Sequence, residues 1–200
     1  MIKTILVDYG GVLGSDAPVL SFDAETSEKT GLSQKEILDI YWAFWNDMKV
    51  GKADLVDYNK EIIKRAQLPI SLKELNVLHY KKIALNREMM EYMMSLKSHG
   101  YTLIILSNES KQGLDEKIQK FKLHQVFEKI YNSAYLGMAK PNKKIFEYVL
   151  RDYHIEASTT VFIDDLDKNI NAAKELGFQT VLFENFEQMK KEITTLLNNL

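Results

Sequence analysis

Four short apolar runs rich in Ile, Leu and Val punctuate the chain: Ile2 to Val7, Tyr101 to Leu106, Thr160 to Ile163, and Thr180 to Phe183. Each is apolar on both faces and is followed by a helical pattern, the signature of a strand buried in a parallel sheet. A weaker fifth run, Lys129 to Asn132, lies between the second and the third. Strands alternating with helices predict the α/β class, a doubly wound, Rossmann-like parallel sheet. Gly100 ends a helical pattern that begins near Arg87, and Gly177 ends one that begins near Asp167. Both sit where a glycine closes a helix in the left-handed conformation.

Between the first two strong runs, about ninety residues show no strand pattern. They contain two capping boxes, Ser33-x-x-Glu36 and Ser71-x-x-Glu74, and apolar residues at helical spacing from Ile37 to Met48 and from Leu55 to Ala66. The pattern predicts a helical cap at 14–85, inserted after the first strand of a core made of 1–13 and 86–200. A helix from Arg87 to His99 returns the chain to that core. Internal repeats and low-complexity segments are absent.

Two hundred residues, 46% hydrophobic, suffice for one such core with a small insertion. The 26 basic and 28 acidic residues leave a net charge of −2 with no long single-sign run, which argues against a nucleic-acid surface. Any anion must be held by a local site. The apolar N-terminal segment meets Asp8 too soon for a signal peptide or a membrane span, so a cytoplasmic location without a membrane partner is expected. The chain has no cysteine, which removes disulfides, thiolate metal sites and cysteine nucleophiles. Neither monomer nor homodimer is favoured by the sequence.

Oxygen and nitrogen groups at the strand ends must therefore carry the chemistry. Asp8-Tyr9-Gly10-Gly11-Val12 follows the first strand, placing a nucleophile, a metal ligand or a turn-capping carboxylate on a backbone that can turn tightly. Ser107-Asn108 follows the second, offering donors to an anion or caps to the next helix. Asp164-Asp165 ends the third strong strand, and adjacent carboxylates favour a hard divalent cation over a structural role. Lys140 precedes Pro141, which is well placed to open a helix carrying Ile145 and Phe146. A lone lysine is usually solvated, but beside three carboxylates it can neutralise both them and a bound anion.

These four segments, in this order and spacing, resemble the motifs of the haloacid dehalogenase superfamily over nearly the whole chain. The pattern is similar to the subgroup of sugar-phosphate phosphatases and the N-terminal phosphatase domains of epoxide hydrolases. The resemblance implies a magnesium-dependent phosphatase of small phosphorylated metabolites, in which Asp8 forms an aspartyl-phosphate. It further implies that magnesium is held by Asp8, the Gly10 carbonyl and Asp165, with Asp164 acting through water or by orienting Lys140. Ser107 and Asn108 would bind phosphoryl oxygens, and Asn169 would support the metal loop.

Gly10 departs from the family's pattern, since most of its phosphatases carry a second aspartate there for acid/base work. Three other readings follow. A non-catalytic phosphate-binding relative is favoured by Gly10; a dehalogenase needs no metal; a phosphonate hydrolase would need a cap lysine such as Lys49 or Lys52. Tyr41-Trp42-Ala43-Phe44-Trp45 is expected mainly to pack inside the cap, and Trp45 to Lys49 is the expected cap contact to substrate. Asp16 is a further candidate proton donor.

Overall fold

The apolar runs assemble into one sheet in the computed structural model, which describes residues 1–15 and 24–198. Strands β1 (Thr4–Val7), β2 (Thr102–Ser107), β3 (Lys129–Asn132), β4 (Thr160–Asp164) and β5 (Gln179–Leu182) are all parallel, in the order β3-β2-β1-β4-β5. β1 is central, with Leu6 between Ile104 of β2 and Phe162 of β4. The chain's path reverses direction across the sheet at β1, opening a crevice beyond the carboxyl ends of β1, β2 and β4.

Alternate strand residues feed two separate cores, which is why these strands are apolar throughout. Ile5, Val7, Leu103, Ile105, Val161 and Ile163 face one side, where they meet buried methionines of the helix Arg87–Ser98 and Met189 and Ile193 of the helix Phe186–Asn198. Leu6, Ile104, Leu106 and Phe162 face the other, against Ile145, Phe146 and Val149 of the helix Lys143–Asp152 and Ile170 and Ala173 of the helix Asp167–Lys174. The helix Lys143–Asp152 is opened by Asn142, whose side chain accepts from Lys144 N, and not by Pro141 as its sequence position suggested.

Within the stretch between β1 and the helix Arg87–Ser98, the described residues form four helices: α1 (Ala24–Thr30), α2 (Gln34–Met48), α3 (Leu55–Arg65) and α4 (Leu72–Lys82). Both expected capping boxes are formed, and a third joins Asp54 and Asp57 at the start of α3. These helices bury a core of their own, including Ile37, Ile40, Met48, Tyr58, Ile62 and Leu75. The remaining helices, in chain order, are α5 (Arg87–Ser98), α6 (Lys111–Phe121), α7 (Ser133–Leu136), α8 (Lys143–Asp152), α9 (Asp167–Lys174) and α10 (Phe186–Asn198). Polar ties join the inserted helices to α6: Gln112 N donates to the Asp54 carboxylate, and Lys120 Nζ donates to the carbonyls of Tyr80 and Ile83. Among the described residues, no helix is long and apolar enough to cross a membrane.

Candidate active site

Asp8 is delivered by β1, whose ladder continues through Asp8 N donating to Ile163 O at 2.9 Å. The next peptide turns back on the carboxylate, with Tyr9 N donating to Asp8 Oδ1 at 2.7 Å. Tyr9 O then accepts from Leu13 N and Gly14 N, closing a tight loop against β4. Gly11 lies in this loop at φ 71°, and a Cβ there would overlap Asp165 Oδ2. Only glycine satisfies both the dihedral and the approach.

Asp164 ends β4 and is fully buried, with each carboxylate oxygen committed. Its Oδ1 accepts from Leu166 N and from Asn169 Nδ2, both at 2.9 Å, and its Oδ2 accepts from Lys140 Nζ at 2.7 Å. Lys140 Nζ also lies 3.0 Å from Asp8 Oδ1, so one ammonium joins the ends of β1 and β4. Burial would lower the Lys140 pKa, but the adjacent Asp8 and Asp164 carboxylates outweigh it and hold the group above its ordinary value. The lysine is thus a fixed cation, not a proton donor near neutral pH.

Asn108 fixes the backbone of that lysine. Its Nδ2 donates to Lys140 O and its Oδ1 accepts from Lys140 N, each at 2.9 Å. Ser107 is buried at the end of β2, and its hydroxyl makes no hydrogen bond among the described residues. Beside them, Glu109 and Lys117 form an almost wholly buried ion pair, with the ammonium 4.8 Å from the centroid of the Tyr9 ring. Sequence reasoning treated neither residue as special, because a glutamate and a lysine eight positions apart carry no signal of burial.

Oxygen atoms of Asp8, Asp164 and Asp165 all lie within 4.8 Å of one another. Burial and the neighbouring Asp164 charge push the Asp165 carboxyl above the usual carboxylate range. One lysine cannot balance three converging carboxylates, and their all-oxygen character fits a hard divalent cation.

The crevice is a cavity of about 330 Å³. Asp8, Gly10, Asn108, Lys140 and Asp165 line it from the sheet; Leu166, Lys168 and Asn169 line it from the segment after β4; Tyr41, Trp42, Trp45 and Lys49 line it from α2. Tyr41 is buried in the core of the inserted helices as expected, yet it reaches the cavity too, while Trp42 is 54% exposed and Trp45 half-buried. The aromatic stretch is therefore divided between packing and the cavity wall. Lys49 reaches the cavity; Lys52 does not line it, and Asp16 lies outside the described residues. Lys168 was missed, although its place inside Asp164-Asp165-x-x-x-Asn169 puts it at the same sheet edge.

The sequence profile of the haloacid dehalogenase-like hydrolases matches residues 24–183. The chain belongs to that family. A D-ribitol-5-phosphate phosphatase of Bacteroides thetaiotaomicron is 28% identical over 214 aligned positions, covering 100% of both chains. An enzyme of this family from the same organism, solved in complex with magnesium and inorganic phosphate, superposes with a TM-score of 0.76 at 24% identity, over 90% of this chain and 93% of that one. The L-2-haloacid dehalogenase of Xanthobacter autotrophicus also shares the fold, with a TM-score of 0.66 at 16% identity, over 98% of this chain and 83% of that one. Fold alone therefore does not separate a haloacid dehalogenase-like phosphatase from a dehalogenase, and the side chains at the crevice must do so.

Proposed function

We propose that the chain is a magnesium-dependent phosphatase of small phosphate monoesters, with sugar phosphates the favoured class, acting through an aspartyl-phosphate on Asp8. The observation that carries this reading is the convergence of Asp8, Asp164 and Asp165 within 4.8 Å beside the buried ammonium of Lys140. A dehalogenase has no use for such an anionic cluster, whereas phosphoryl transfer needs a cation between the nucleophile and the anionic substrate. The full-length similarity to a ribitol-phosphate phosphatase supports the same class.

Asp8, the Gly10 carbonyl and Asp165 would hold the magnesium, with Asp164 serving through its grip on Lys140. Bound there, the ion supplies positive charge to the phosphoryl oxygens. Tyr9 N–H and Lys140 Nζ both converge on Asp8 Oδ1 and orient the carboxylate for in-line attack on phosphorus. The P–O ester bond breaks as the Asp8–phosphorus bond forms, and the alkoxide takes a proton from water because Gly10 carries no acid. Water then attacks the acyl-phosphate, releasing inorganic phosphate and restoring Asp8. Lys140 supplies positive charge on the substrate side of Asp8 in both steps. The Asn108 side chain is spent on the Lys140 backbone, so the donors to the phosphoryl group are the Ser107 hydroxyl and the Asn108 main-chain N–H.

The test is phosphate release from a panel of sugar phosphates, glycerol phosphate and p-nitrophenyl phosphate, with magnesium and with excess chelator. Magnesium-dependent release is expected. Full activity in chelator would return the dehalogenase type of site, and binding without release on any ester would leave a non-catalytic phosphate-binding protein.

A further inference from the structure

Two ammonium groups with no part in the phosphoryl chemistry line the same cavity as Asp8. Lys49 caps the C-terminus of α2, is half-buried, and donates to Asn46 Oδ1 at 2.6 Å. Lys168 stands in the first turn of α9, exposed at the cavity's rim, and makes no hydrogen bond or ion pair among the described residues. Neither forms an ion pair with a carboxylate among those residues, although the Lys168 charge acts on Asp165, whereas Lys140 already joins Asp8 and Asp164. The two are close enough to repel: burial and the Lys168 charge together lower the Lys49 pKa from its ordinary value.

Next to them stands an aromatic wall. Trp42 and Trp45 pack edge to face with centroids 6.5 Å apart, and Trp42 remains more than half exposed although it stands in the cavity lining. The wall is apolar and flat, the lysines are cationic, and the whole space is at the small end of ligand sites.

Resting on the phosphatase reading, we infer that the substrate is a short phosphate monoester bearing a second anionic group, a carboxylate or a second phosphate, received between Lys49 and Lys168 beside Trp42 and Trp45. An anion between two like charges converts their repulsion into two charge-assisted hydrogen bonds. A neutral polyol chain leaves the repulsion in place. Residues from both sides of the crevice take part.

The experiment compares kcat/KM of the full chain with magnesium on phosphoglycerate, fructose bisphosphate and glycerol phosphate, with p-nitrophenyl phosphate as reference. At least one of the first two is expected to exceed glycerol phosphate about tenfold, the effect of one well-placed charge pair. Which one does so tells carboxylate from phosphate. Lys49→Met and Lys168→Met should each shrink that preference about tenfold, and Lys49→Arg should retain it. Equal rates on all three esters would overturn the inference. A loss by the same factor on every ester in the methionine variants would also overturn it, since the lysines would then serve the phosphoryl group alone. Calorimetric binding of the same esters to Asp8→Asn reads the preference without turnover. If p-nitrophenyl phosphate is not hydrolysed, the phosphatase reading fails while this binding comparison still decides the question of the second anion.

Discussion

The two walls of the cavity are built on opposite terms. On the sheet side, Asp164 is held by Lys140, Asn169 and Leu166 N, while Lys140 is held in turn by Asp8 and, through its backbone, by Asn108. Asp8, Lys140 and Asp164 each have more than one partner and almost no solvent. On the α2 side, the Lys49 ammonium is bonded, among the described residues, only to Asn46 of its own helix, and Trp42 is more exposed than buried. Attack on phosphorus demands groups fixed to fractions of an ångström, which justifies burying charge. Recognition of the rest of the substrate tolerates side chains that settle when the ligand arrives.

The largest expected effects lie on the rigid wall. Asp8→Asn replaces the nucleophile with an amide that cannot form an acyl-phosphate, and turnover should fall by about three orders of magnitude or more with the fold intact. Phosphate release near the wild-type rate would remove Asp8 from that role. Asp165→Ala should come next. It takes one anionic oxygen from the proposed cation site, so the magnesium concentration for half-maximal activity should rise by about tenfold or more. An unchanged magnesium titration would place the ion elsewhere.

A smaller effect tests what Gly10 omits. With no acid two residues after the nucleophile, the alkoxide leaves with little proton assistance, and its own basicity weighs on the rate. Across a series of phosphate monoesters, kcat/KM should rise as the leaving-group pKa falls, aryl phosphates outrunning primary-alcohol esters. A flat dependence would mean that a group on the other wall supplies the proton. Gly10→Asp should flatten the series if the new carboxyl fits the loop.

The rigid wall was largely legible in the sequence because Asp8, Ser107, Asp164 and Asp165 sit at or just past the ends of apolar runs, and strand order then brings those ends together, with Lys140 supplied by the loop before the helix Lys143–Asp152. Lys129 to Asn132 is a strand with the expected bounds, and the pairs Ser33/Glu36 and Ser71/Glu74 cap helices as their spacing says. The role of Asn108 was not legible, since a side chain that grips a backbone thirty-two residues away leaves no local trace. Nor was the division of Tyr41, Trp42 and Trp45. On an amphipathic helix the residue that packs inward and the residue that faces a cavity share one periodicity, and only the placement of the helix over the sheet tells them apart. The helix Phe186–Asn198 went unread for a simpler reason: its buried Met189 and Ile193 lie one turn apart among polar residues, too sparse a stripe without the sheet face they cover.

The smallest expected effect separates the two regions by their response to acid. His79, on α4, is buried in the inserted helices and stacks on Tyr58 with centroids 5.7 Å apart. Its Nε2 has no hydrogen-bond partner among the described residues, and burial, aided by the charge of Lys82, lowers its pKa to about 4. The unfolded chain binds a proton near pH 6.5 where the folded chain does not, so this histidine costs nothing above that pH and progressively destabilises the fold as pH falls toward 4. Between about pH 7.5 and about pH 5.5 the loss should be on the order of 1 kcal/mol, from the difference in proton uptake between the two states. Hydrogen exchange should find the weakening in the amides of α3 and α4, with those of β1 and β4 protected alike at both pH values. His79→Phe keeps an aromatic ring against Tyr58 and has nothing to titrate, so its denaturant midpoint should change less between the two pH values than that of the wild type. An undiminished loss in that variant would move the acid-sensitive group elsewhere, and faster exchange in β1 and β4 would place it on the sheet wall, erasing the contrast between the two regions.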